Sequence, residues 1–208
     1  MIDIAIVAVL AVAAFFLGAC PFSLWIGRAR LRKDIREIGD GNPGAANVFK
    51  AGGKVWGVVA LIADILKGMP FVLIALYAFN YSQPVGYIIA VCAVLGHAFS
   101  PFLGFHGGKA LAVFAGTLVA LSQWDIISCL AILFFIGFLF INNDAWTVVC
   151  GMVAALVYLS VTSADIWKIS FMVCITAILL FKHLPALKAS PGHSARFLNW
   201  IRSRRKTA

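Results

Sequence analysis

Long apolar runs separated by short polar turns dominate the chain, and no stretch shows the strict two-residue alternation of a membrane barrel strand. The runs fall near residues 3 to 26, 55 to 79, 85 to 103, 110 to 122, 125 to 141, 145 to 163 and 166 to 182. A helix rises about 1.5 Å per residue, so runs of roughly 17 to 25 residues suit a hydrocarbon layer about 30 Å thick. Backbone polar groups in lipid must bond internally, which leaves helices as the workable form for these runs. The pattern predicts an all-α membrane protein: a polytopic bundle of about seven transmembrane helices with glycine-rich cytoplasmic loops. It forms a single domain over residues 1–190, followed by a basic amphipathic cytoplasmic tail over residues 191–208. The fourth and fifth runs are short or closely spaced, which keeps five or six crossings with one re-entrant helix as the alternative.

Composition supports the membrane reading. Of 208 residues, 62% are hydrophobic and 12% charged, against roughly 25% charged in a soluble domain. Arg28, Arg30, Arg32, Lys33, Arg36, Lys50 and Lys54 cluster after the first run, and Lys182, Lys188, Arg196, Arg202, Arg204, Arg205 and Lys206 follow the last. The positive-inside bias puts both clusters in the cytoplasm. The turn "NYSQ" has no charge and "SQWD" no cation, which suits the outer side. Seven spans then give an outside N-terminus and an inside C-terminus. The net charge of +9 reads as topology and lipid contact, and nucleic acid is set aside as a partner because the cations flank spans instead of forming a basic face. "LGAC" (Leu17 to Cys20) resembles a lipoprotein cleavage box but lacks a basic leader, so the first helix is expected to stay uncleaved. Cys20, Cys92, Cys129, Cys150 and Cys174 match no zinc or redox spacing and are expected to be small buried hydrophobes.

Against this background the polar residues stand out. Asp64 and Lys67, three apart in "LIADILKGMPF", share a helical face and can pair; a structural ion pair and a direct substrate role are both open. In "GHAFSPFLGFHGGKALA" (Gly96 to Ala112), Gly107 and Gly108 free the backbone to turn before Lys109, and the next helix opens with unpaired N–H groups: a candidate phosphate cradle. "GDGNPGAANVFK" (Gly39 to Lys50) repeats the logic, with Gly39, Gly41 and Gly44 for the turn, Asn42 and Asn47 as donors and acceptors, and Lys50 as charge. A carboxylate at Asp40 would repel a dianion unless Lys50 or Arg36 neutralises it. It is read either as a general base toward an acceptor hydroxyl or as the head of an Asx-turn. His183 is the better ligand candidate among the histidines, His97 fits packing within a helix, and His106 and His193 fit solvent. The tail "SARFLNWIRSRRKTA" reads as an interfacial helix or as a basic tail.

"FLGACPFSLWIGRARLRKDIREIGDGNPGAANVFKAGGKVWGVVALIADILKGMPFVLIA" and "GHAFSPFLGFHGGKALA" resemble the first two signature regions of the bacterial acyl-phosphate:glycerol-3-phosphate acyltransferases, the PlsY family. The resemblance covers residues 10 to about 115 well and the rest loosely. It implies a multi-span plasma-membrane enzyme that moves a fatty acyl group from acyl phosphate to the 1-hydroxyl of glycerol 3-phosphate, giving lysophosphatidic acid without metal, CoA or other cofactor. It implies phosphate-binding roles for Asn42, Gly44, Asn47, Lys50, Gly107, Gly108 and Lys109, a catalytic role for His183, and support from Asp64, Lys67 and His97, while Asp40 is a catalytic candidate on its own chemistry.

Departures from the family pattern bear on the chemistry. Asp40 stands where the family usually has serine, Ala46 where it has threonine, Lys50 where it has arginine, and Ala110 where it has glycine. A serine-rich third signature expected near "NNDAWTV" (Asn142 to Val148) is absent, and Ala186 replaces the asparagine that should follow His183. Phosphate binding is therefore expected to survive better than catalysis. A non-catalytic relative that binds acyl phosphate or phospholipid is the alternative function, and a small transporter the third, disfavoured because no inverted halves are evident.

Overall fold

The computed structural model describes residues 3–192, and among these every regular element is helical. The amphipathic helix expected in the tail and His193 lie outside the described residues. By internal packing the chain falls into two compact units that divide between Trp124 and Asp125.

The first unit opens with α1 (Ile4–Ala19), whose first amides are capped by the Asp3 carboxylate at 2.9 Å from Ala5 N. Pro21 interrupts the run, and α2 (Phe22–Ile26) continues into a π-helical turn, Gly27–Leu31, that ends where Arg32 turns left-handed. A short amphipathic helix, α3 (Ala45–Lys50), leads into α4 (Lys54–Leu66); α5 (Pro70–Leu73) continues as a second π-helical turn, Ile74–Ala78. α6 (Gln83–Ala98) and α7 (Leu111–Ala120) complete the unit. The second unit holds α8 (Trp124–Phe140), α9 (Asp144–Thr162) and α10 (Ile166–Leu187).

Among the described residues, five helical segments are long and apolar enough to cross a membrane: Ile4–Leu31, Lys54–Ala78, Gln83–Leu103, Asp144–Thr162 and Ile166–Leu187. The fourth and fifth apolar runs also form helices, but with 10 and 17 residues. At about 1.5 Å per residue, α7 is about 15 Å long, half a hydrocarbon layer. It is also largely enclosed: Val113, Phe114, Gly116, Thr117, Leu118 and Ala120 are buried, so protein and not lipid surrounds most of it.

Small residues set the spacing of the first unit. A Cβ built on Gly96 of α6 would stand 1.9 Å from the Phe15 carbonyl of α1, and one on Gly116 of α7 would stand 1.9 Å from the Ile65 carbonyl of α4. Backbones meet there directly, the arrangement that lets helices associate where lipid tails offer no hydrophobic contrast. The cysteines depart from expectation. All five are free thiols, none is fully buried, and Cys150 and Cys174 are exposed. In lipid an apolar side chain gains nothing by hiding from the solvent, so hydropathy marks a span without marking its inner face.

Candidate functional site

The segment from Arg28 to Lys54 is packed, not loose. Leu24, Ile35, Ala45, Val48, Ala51 and Ala60 form a small buried core, with Ile38, Trp56 and Leu103 against it. Lys33 Nζ donates to the Ala51 carbonyl at 3.0 Å, closing the end of α3, and the Arg30 guanidinium lies 4.7 Å from the Trp56 ring centre. Asp34 takes Arg28 and Arg36 at 2.7 Å each. The Arg36 hydrogen bond, then that of Arg28, holds the Asp34 carboxyl well below the usual carboxylate range.

On this platform Gly39 and Gly41 adopt φ of +65° and +73° and reverse the chain. Asp40 Oδ1 accepts the Asn42 N–H at 3.2 Å, an Asx-turn, and the Asn47 side-chain N–H at 3.0 Å. Asn47 is fully buried at the first turn of α3; its Nδ2 also donates to the Asn42 carbonyl at 2.9 Å, while its Oδ1 has no hydrogen-bond partner. Gly44 precedes α3, and a Cβ there would stand 2.8 Å from Asn42 Nδ2. Lys50 is exposed in the last turn of α3; a Cβ on Gly39 would meet both its Nζ, at 3.0 Å, and Asn47 Oδ1, at 2.5 Å.

The second glycine turn arrives at the same place. Gly108 N donates to the His97 carbonyl at 3.0 Å, and a Cβ on Gly107 would lie 2.0 Å from that carbonyl, so the turn folds tightly against the end of α6. The His97 ring is buried beneath Gly108, as a packing residue, and His106 is exposed as expected. From this turn Lys109 Nζ reaches Asp40 Oδ2 at 2.7 Å, across 69 residues of sequence. Burial raises the Asp40 carboxyl, but the Lys109 hydrogen bond and charge, with the Asn42 and Asn47 donors, outweigh it and bring the pKa down to about 2. The cation that neutralises Asp40 is thus Lys109. Arg36, one of the two expected from sequence, is committed to Asp34, and Lys50 makes no ion pair with Asp40.

Ala110, where the turn enters α7, is left-handed at φ +62°. A β-carbon costs roughly 1 kcal/mol there, so Ala110→Gly is expected to raise stability by about that amount, read as a higher unfolding temperature in detergent with the fold unchanged.

Asp64 and Lys67 form a buried knot: Lys67 Nζ is 2.8 Å from Asp64 Oδ1 and donates to the Cys20 carbonyl at 2.7 Å, and Ser23 Oγ donates to Asp64 Oδ2. Ser100 Oγ donates to the neighbouring Ala19 carbonyl at 2.6 Å. Sequence reasoning did not single out Ser23 or Ser100. The available signal was a hydroxyl near each of two prolines, Pro21 and Pro101, at the ends of apolar runs.

In the second unit, His183 is buried in α10 with Nδ1 donating to the Leu179 carbonyl at 2.7 Å. The stretch where the third signature is missing has its own structural work. The Asn142 and Asn143 amides donate to the Pro191 carbonyl at 3.1 Å, Asn143 Nδ2 to Ala186 O at 2.9 Å, and Trp146 Nε1 to Ala189 O at 2.9 Å. The bond to Ala186 caps the carbonyl end of α10, and the others hold the residues that follow it. Among the described residues no group of His, Cys, Asp and Glu could hold a metal ion.

Known proteins match most of the length of the chain. Residues 8–190 match the family model described as glycerol-3-phosphate acyltransferase. A glycerol-3-phosphate acyltransferase of Endomicrobium trichonymphae is 36% identical over 181 residues, 84% of this chain and 86% of the relative. One from Lactococcus lactis subsp. cremoris is 33% identical over 196 residues, 90% of this chain and 91% of the relative. Crystal structures of PlsY (YgiH), an integral membrane glycerol 3-phosphate acyltransferase, superpose with TM-scores of 0.78 for the glycerol 3-phosphate form and 0.76 for the lysophosphatidic acid form. Each covers 88% of this chain and 90% of the other, at 28% and 27% identity.

Proposed function

The chain belongs to the glycerol-3-phosphate acyltransferase family, and on that premise we propose that the two glycine turns form its phosphate site. The protein is a membrane enzyme that acylates glycerol 3-phosphate to lysophosphatidic acid, a step of phospholipid synthesis. We take acyl phosphate as the donor. The 1-hydroxyl oxygen of glycerol 3-phosphate attacks the acyl carbonyl carbon, the new ester C–O bond forms, the bond to phosphate breaks, and inorganic phosphate leaves. The activated donor needs no protein nucleophile, so alignment and charge neutralisation supply the acceleration. Lys109, Asn42, Asn47, Lys50 and the Gly44, Gly107 and Gly108 turns are the proposed phosphate-holding residues. The hydroxyl proton passes to the departing phosphate, and His183 is proposed as a catalytic residue from its sequence pattern alone.

The observation that carries the reading is the meeting of Lys109 with the Asn42–Asn47 turn at one set of donors, joined through Asp40. We further propose seven crossings, with α7 short because protein encloses it, an outside N-terminus, and the site at the cytoplasmic face of a bacterial inner membrane. Residues 1–190 then form the acyltransferase domain and residues 191–208 its basic tail. Purified protein is expected to release inorganic phosphate from palmitoyl phosphate only when glycerol 3-phosphate is added, with lysophosphatidic acid formed in equal amount. Acceptor-independent release, or none, would remove the proposal.

A further inference from the structure

Three donors converge where the two turns meet, the Lys109 ammonium among them, and a carboxylate of the chain itself takes all three. Asp40 Oδ2 holds the Lys109 ammonium at 2.7 Å, and Oδ1 holds the Asn42 amide at 3.2 Å and the Asn47 amide at 3.0 Å. The Asn47 side chain has two N–H groups; the other is spent on the Asn42 carbonyl at 2.9 Å, so the one facing Asp40 is the one a ligand could use. A phosphate oxygen would ask for the same ammonium and the same two N–H groups. Arg36 cannot make up the charge, because both of its bonds go to Asp34.

We propose that the Asp40 carboxylate is a tethered occupant of the anion cradle, a built-in competitor that sets how tightly the site takes a phosphorylated ligand. The inference rests on the reading of these turns as the phosphate site and assigns Asp40 the discriminating role within it. A dianionic phosphate meets either occupied donors or, once it enters beside the carboxylate, a like charge at contact distance. The site therefore disfavours high negative charge and favours the acceptor whose binding depends least on it. A general base is a poor alternative, because a carboxyl held near 2 by three donors takes up a proton only weakly at neutral pH.

Asp40→Asn keeps the size of the group and removes its charge; Asp40→Ser removes most of the group. Both are tested in the full chain in detergent, by calorimetric binding of glycerol 3-phosphate and by steady-state transfer from palmitoyl phosphate. Both are expected to lower Kd and KM for glycerol 3-phosphate by about tenfold or more with kcat kept within about twofold, and a Lys109→Gln background is expected to cancel the gain. Unchanged or weaker binding in both variants would overturn the inference, as would a hundredfold fall in kcat at constant KM, the signature of a lost base. The two readings separate cleanly. Tighter binding with no transfer in any form keeps the tethered carboxylate and removes the acyltransferase, whereas normal transfer with Kd unmoved does the reverse.

Discussion

Lys109→Ala is expected to lower kcat/KM for acyl transfer by about a thousandfold or more, a loss of roughly 4 kcal/mol of transition-state stabilisation. Two effects add in the same direction. The ammonium is the cation that the structure brings to the Asn42–Asn47 turn, and withdrawing one preorganised charge from a leaving phosphate costs on the order of 10²–10³. Its removal also frees the Asp40 carboxylate, which then faces an incoming dianion without a counter-charge. Stability should move little, because both partners are part-exposed and solvent screens the pair. The measurement is phosphate release from palmitoyl phosphate with glycerol 3-phosphate present, with the unfolding temperature taken on the same preparation. Lys109→Arg, which keeps the charge on a different fork, should recover part of the rate. A Lys109→Ala enzyme retaining a tenth of native kcat/KM would mean that the phosphate is neutralised elsewhere.

The meeting of the two turns was legible because three signals coincided: glycines that permit reversal, an adjacent lysine, and a charge bias that put both turns at one membrane face. The partner of Lys109 was not. From sequence, Arg36 and Lys50 looked nearest to Asp40, but Asp34 captures Arg36 within its own turn, and Lys109 arrives from 69 residues away. The length of the fourth run was less legible than its place. Residues 110 to 122 read as one apolar run, yet α7 ends at Ala120, with Ser122 left-handed at φ +56°, and enclosure by protein removes the length requirement that lipid imposes. At "NNDAWTV" the loss of the family pattern was visible, but its replacement was not, since the bonds run to carbonyls some 43 residues on. Those contacts explain why asparagine is useful there: one side chain caps α9 through Ala145 N and α10 through Ala186 O.

Lys67→Met is expected to be the most destabilising single change, by about 3–5 kcal/mol, because it strands the Asp64 carboxylate in the interior. For a chain of this size the unfolding temperature in detergent should fall by about 10 °C. The reason for so costly a pair lies in the backbone. α1 ends at Ala19 and Pro21 prevents its continuation, so the Ala19 carbonyl loses its helical donor and the Cys20 carbonyl keeps only the Phe22 N–H at 3.0 Å, in an otherwise apolar setting. Ser100 Oγ donates to the first and Lys67 Nζ to the second; Asp64 then balances Lys67, and Ser23 Oγ donates to Asp64. The ion pair thus belongs to a helix break, which predicts non-additivity. Asp64→Leu combined with Lys67→Met should cost less than Lys67→Met alone, with the Cys20 carbonyl then left to the Phe22 N–H. Protein that remains folded in either case should keep native kcat with palmitoyl phosphate and glycerol 3-phosphate. A stable Lys67→Met chain with kcat lost would instead put Lys67 on the substrate, since a purely structural lysine cannot lower turnover without lowering the melting point.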